Sequence, residues 1–141
     1  MTNAAFTPFA EGLMDGSIDL DTAVIKAAFI RGYTFSAADK FMSTVLGTGT
    51  LNGTPVALSS VTVTGGVLDA ADSSITTTAS AINHAIILYQ ASAVTGGADV
   101  ATSAQRTIAF LDTGTGLPIQ PGTGATPITW DNGANKILKI G

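Results

Sequence analysis

Apolar residues at Phe6, Phe9, Ala10 and Leu13 follow the i, i+3, i+4, i+7 spacing of one helical face. Pro8 suits an early helical position, Thr7 stands where a cap is wanted, and Asp15-Gly16 supplies a stop. The pattern then shifts to period two. Over 22–30, Ala23, Ile25, Ala27 and Phe29 fall on one side and Val24, Lys26, Ala28 and Ile30 on the other. Both faces are largely apolar, which predicts a central strand. Helical spacing returns over 37–46, where Phe41, Met42 and Val45 form a stripe. Ser36 and Asp39 are spaced as in a capping box, and Gly47 ends the element.

Beyond that point the chain reads as β. A Gly/Thr-rich link at 47–53 leads into a strand at 56–64 that stops at Gly65-Gly66. A Thr-rich strand is predicted at 74–78, and the strongest central strand at 81–90 around Ala85-Ile86-Ile87-Leu88. A polar loop at 95–103, a strand at 106–112 and a Gly/Pro-rich turn at 113–125 follow. Asn132-Gly133 lies between the apolar segments 128–130 and 137–140, a strong hairpin signal. The expected fold is mainly β, an antiparallel β-sandwich or curled sheet with one or two short helices in the N-terminal third. We read it as one domain over 1–141: a flexible arm at 1–7, a helix–strand–helix unit at 8–46 and a β-rich body at 54–141.

Composition changes this picture chiefly by what it lacks. Only 11% of the 141 residues are charged, and the net charge is −4. Mean hydropathy is +0.40, as much from missing Lys and Glu as from extra apolar residues. So little charge gives little repulsion between neighbouring molecules, which suits a surface covered by other subunits. Lys26, Arg31, Lys40, Arg106, Lys136 and Lys139 are scattered, with only the last two close together, so no basic stripe for nucleic acid exists. With no cysteine, neither a disulfide framework nor a thiolate metal site can form. The first residues lack the basic patch and apolar stretch of a signal peptide. The uncharged stretch 73–98 is broken by Asn83, His84, Gln90 and Gly96-Gly97, and its apolar centre is strand-sized, so no membrane span is expected.

Candidate chemistry is sparse. Gly114-Thr115-Gly116 and Gly122-Thr123-Gly124 have neither dinucleotide nor P-loop spacing and open no predicted helix, so they read as turns. Asp19 with Asp21, and Asp69 with Asp72, are the tight acidic pairs, and each supplies too few hard ligands for calcium. His84, Arg106 and Asp112 are polar residues within predicted strands. No GxSxG elbow accompanies them, and His84 reads as a hydrogen-bonded structural histidine. Neither catalytic, metal nor cofactor residues are assigned, and the chain is read as no enzyme. Trp130, Tyr89, Phe6 and Phe9 are the candidate packing or interface anchors.

Several strings carry a family resemblance. They are Gly12-Leu13-Met14-Asp15-Gly16-Ser17-Ile18-Asp19-Leu20 leading into the strand with Val24-Ile25-Lys26, Gly66-Val67-Leu68-Asp69-Ala70-Ala71-Asp72, Ile86-Ile87-Leu88-Tyr89, Ile108-Ala109-Phe110-Leu111-Asp112-Thr113-Gly114-Thr115-Gly116-Leu117-Pro118 and Ile128-Thr129-Trp130-Asp131-Asn132-Gly133-Ala134-Asn135-Lys136-Ile137. In order and spacing the chain resembles small virion structural proteins of tailed bacteriophages, most of all capsid decoration, or cement, proteins. The resemblance implies a homo-oligomer, trimer favoured, made in the bacterial host cytoplasm. It would bind the major capsid protein on the outside of the icosahedral shell and lock capsomer junctions, with no role for nucleic acid or membrane. A head–tail connector or tail component, and a carbohydrate-binding β-sandwich module, are the alternatives.

Overall fold

A computed structural model describes residues 3–114 and 116–140. It is mainly β and antiparallel, with two short helices in the N-terminal third. In chain order these are β1 (Ala4–Ala5), α1 (Thr7–Met14), β2 (Val24–Arg31), α2 (Met42–Val45), β3 (Thr50–Ala57), β4 (Thr62–Thr64), β5 (Val67–Asp69), β6 (Ser73–Thr77), β7 (Ala85–Ser92), β8 (Arg106–Leu111), β9 (Gly124–Ile128) and β10 (Leu138–Lys139). The strands form three open sheets, ordered β1-β8-β7-β2-β3, β10-β5-β4 and β6-β9.

β7 lies in the middle of the largest sheet, and all eight of its residues are buried. β2 is flanked by β7 and β3, as its two apolar faces require. One apolar cluster runs from Phe6 to Ile137 and includes Ala27, Val45, Ile87, Leu88 and Ile108, all fully buried. The third sheet is fastened to the first by Asn52 of β3, whose side chain donates to the Thr78 carbonyl at 2.9 Å and accepts from the Thr78 N–H at 3.0 Å. Between β4 and β5, Gly65 and Gly66 have φ of +59° and +78°, as a two-residue turn twisted to match its strands demands.

Several expectations need correction. Asn3 to Thr7 are no free arm: β1 pairs with β8, Phe6 is 1% exposed, and Met1 and Thr2 lie outside the described residues. Thr7 is the first residue of α1 instead of its cap. Phe6 occupies the cap position in extended conformation without a side-chain bond. The second helix shrinks from 37–46 to one turn, because β8 claims the preceding backbone. Thr107 N–H donates to the Lys40 carbonyl, Met42 N–H donates to the Gln105 carbonyl, and the Thr107 hydroxyl donates to the Asp39 carbonyl at 2.6 Å. Asp39 caps nothing and instead accepts from the Tyr33 hydroxyl at 2.9 Å. Much of the link at 47–53 is strand, since β3 pairs with β2 from Thr50 onward.

The largest correction is at the C-terminus. Asn132-Gly133 does not close a hairpin, because β9 pairs with β6 while β10 pairs with β5. The segment between them crosses from one sheet to another. That crossing shapes a large cleft between the sheets.

Candidate interaction cleft

β1 ends the five-stranded sheet, β10 ends the three-stranded one, and both line a single cleft of about 1120 Å³. Phe29, Ile86 and Leu111 of the large sheet contribute apolar surface to it. The crossing segment forms another wall with Trp130, Asp131, Asn132 and Asn135. Leu117 and Ile119 also line it, on a strap held to the start of β7. There the His84 N–H donates to the Ile119 carbonyl at 2.7 Å, and the Ile119 N–H returns a bond to the His84 carbonyl at 2.9 Å.

Trp130 is 6% exposed, so its ring is packed at the cleft wall instead of presented as a platform. Its backbone N–H donates to the Asp72 carboxylate at 2.9 Å, which anchors the crossing segment to the turn before β6. The indole N–H is buried without a hydrogen-bond partner among the described residues. Tyr89 lies on β7, deep in the sheet, where burial and then the nearby Asp99 charge push its hydroxyl up to about 12. Phe6 and Phe9 are each 1% exposed. Phe6 meets the Phe35 ring at 5.0 Å between centroids, and Phe35 stacks on Phe110 at 5.6 Å. The four candidate anchors therefore converge on no common surface: Trp130 alone borders the cleft.

His84 departs from expectation. It is fully buried, yet neither ring nitrogen has a hydrogen-bond partner among the described residues. Burial holds the imidazole below its usual range, and the Arg31 charge adds to it. Arg106 stands at the first position of β8 and Asp112 just past its end, ~20 Å apart by strand rise. Arg106 instead packs under α1. Its guanidinium donates to the Pro8 carbonyl at 3.3 Å and lies 5.9 Å from the Phe41 ring centroid. Gly12 leaves room for it, because a Cβ there would sit 2.8 Å from the guanidinium.

The acidic pairs are occupied locally. Asp19 accepts from the Asp21 N–H, Asp69 from the Ala70 N–H, and Asp72 from Trp130. Among the described residues no three His, Cys, Asp or Glu side chains gather as metal ligands. Gly114 bridges to Leu117 and Gly124 opens β9, so neither Gly-Thr-Gly string leads into a helix; Thr115 lies outside the described residues. No described helix is long and apolar enough to cross a membrane.

Compared with known proteins, the chain matches no family model, no curated protein and no solved structure. The candidate site rests on geometry alone. Sequence reasoning missed it because a cleft between two sheets depends on which strands pair. The one legible signal was Lys136 and Lys139, the only basic residues close together in the sequence, which both line it.

Proposed function

We propose that this chain is a structural component of a tailed-phage virion, a decoration protein that binds the outer surface of the capsid shell and stabilises capsomer junctions. The observation that carries the reading is a division of labour within the molecule. Asn52, Thr77, Gln105 and Thr107 spend their side-chain hydrogen bonds inside the fold, while a large cleft is bordered by two sheet edges that pair with no further strand among the described residues. Such a molecule is suited to holding on to a partner. The resemblance supports the same reading, since Ile128 to Asn132 of one of its strings line the cleft. A protein that binds the assembled shell but not loose subunits stabilises the shell by mass action.

The test uses shells that lack this protein. They should assemble, burst at lower temperature than decorated ones, and regain stability when the purified chain is added, with saturable binding at symmetry-related positions. Binding only at the portal vertex or along the tail would replace this reading with the connector alternative, and a ring in solution would point the same way. The carbohydrate-binding alternative draws on one observation, the grouping of Asn3, Asn132, Asn135 and Asp131 in the cleft. It lacks an exposed aromatic face, because Trp130 and Tyr89 are 6% and 3% exposed.

A further inference from the structure

The cleft is bounded by exactly the groups an added strand would use only if its two edges are free, and their hydrogen bonding bears this out. Bonding alternates along an antiparallel pair, so the residue next to a bonded one turns its N–H and C=O outward. Phe6 N–H donates to the Ile108 carbonyl at 3.0 Å, which turns Ala5 of β1 away from β8. Ile140 N–H donates to the Gly66 carbonyl at 2.8 Å, which turns Lys139 of β10 away from β5. Neither edge pairs with a further strand among the described residues, and Ala5 and Lys139 line the same cleft. Unpaired edges are templates for strand addition. Leu117, Ile119 and Leu138, each half-buried, line the same cleft and offer apolar surface for alternate side chains of an incoming strand.

Charge narrows the occupant. The charged residues lining the cleft are Lys136, Lys139 and Asp131, two positive less one negative, or +1 in a chain of net −4. Asp131 accepts from the Gly133 N–H, and Lys136 lies 3.4 Å from Asp69. Lys139 has no ion pair among the described residues. We infer that the cleft is a strand-acceptor groove: an extended segment of another polypeptide, apolar at alternate positions and bearing a carboxylate opposite Lys139, adds to β1, β10 or both. The inference does not require that the partner be a capsid protein.

Panning the purified full-length chain against displayed random peptides about ten residues long, the upper range of natural strands, should enrich alternating apolar sequences that carry Asp or Glu. A synthetic peptide from that set should slow amide exchange at Ala5 and Lys139. Lys139→Glu should weaken its binding about fivefold, the worth of a partly screened charge pair, with an unchanged melting temperature because Lys139 is exposed. Lys139→Arg should restore binding. Lack of enrichment would overturn the inference, as would peptides that bind Lys139→Glu equally well and leave both amides exchanging freely. So would a glycan, or a second copy of this chain, that occupies the cleft in the peptide's place. Peptide binding by a chain that ignores capsid shells would uphold the groove and remove only the decoration reading.

Discussion

β7 and the C-terminal segment 137–140 are both short, apolar stretches, yet they end in opposite circumstances. β7 is paired on both sides and buried along its whole length. In the C-terminal segment, β10 pairs only with β5, Ile137 alone is buried, and Ile140 is 46% exposed. Composition does not separate them; neighbours do. A run enclosed by strands on both edges becomes core, whereas one left at a sheet's edge borders an opening and keeps backbone groups for a partner.

The widest test of that contrast is truncation on each side. Ile87→Ala, at a fully buried position of β7, should cost about 4 kcal/mol, because the surrounding strands cannot collapse into the space. Ile137→Ala should cost about 2 kcal/mol, the low end for such a change, because it enlarges an existing cleft. Urea unfolding measures both, and equal costs would mean the cleft wall is as tightly enclosed as the central sheet.

Glycine replacement sharpens the comparison further. Gly53 has φ of +82°, and a Cβ there would collide with the Thr76 backbone carbonyl where β3 meets β6. Gly53→Ala should cost about 2 kcal/mol or more, through backbone strain and overpacking together. Gly133→Ala in the crossing segment would first meet the Asp131 carboxylate, the far end of an exposed side chain, and should cost about 0.5 kcal/mol. Thermal unfolding of the two variants gives the ratio.

His84 sits beside β7, between that strand and the strap that lines the cleft. Its folded pKa lies below the unfolded value, so the folded state disfavours the proton. Stability should therefore be full above the unfolded pKa of about 6.5 and decline as pH falls through it, by at most about 1.4 kcal/mol per pH unit for one proton. His84→Phe should flatten the slope between pH 7 and 5.5 in urea titrations, before the carboxylates begin to titrate. An unchanged slope would show that the ring is not a source of the dependence.

The smallest effect belongs to the surface. Lys26 and Asp99 approach to 2.7 Å, but Asp99 is 45% exposed, and Asp99→Asn should change stability by about 0.5 kcal/mol or less. A larger loss would mean that the loop carrying Asp99 supports β2 more than its exposure suggests.

Element type was legible wherever the pattern was long and strong. Phe6, Phe9 and Leu13 announced α1, and the alternation through Phe29 and the run Ala85-Ile86-Ile87-Leu88 announced the two most enclosed strands. The second helix formed only over its last turn, because hydrogen bonds from β8 outweighed the local propensity of residues 37–41. Asn132-Gly133 failed for a related reason: it is a sound turn signal, but a turn does not choose the partners of the strands it joins. The candidate site was almost invisible, since Ala5 and Lys139 owe their place to β1 and β10 being at the ends of different sheets.

Period and composition, by themselves, determined that this chain is mainly β, that a helix lies near Phe6 to Leu13, and that without cysteine it forms no thiolate site. These are local properties, carried by side-chain spacing and residue type. Only the tertiary structure decided that β9 and β10 part company, that His84 is buried with its ring nitrogens unpartnered, and that two sheet edges border one cleft. Those outcomes depend on contacts between residues far apart in the chain, where competing pairings differ by the burial of whole strands instead of by the preference of any one residue.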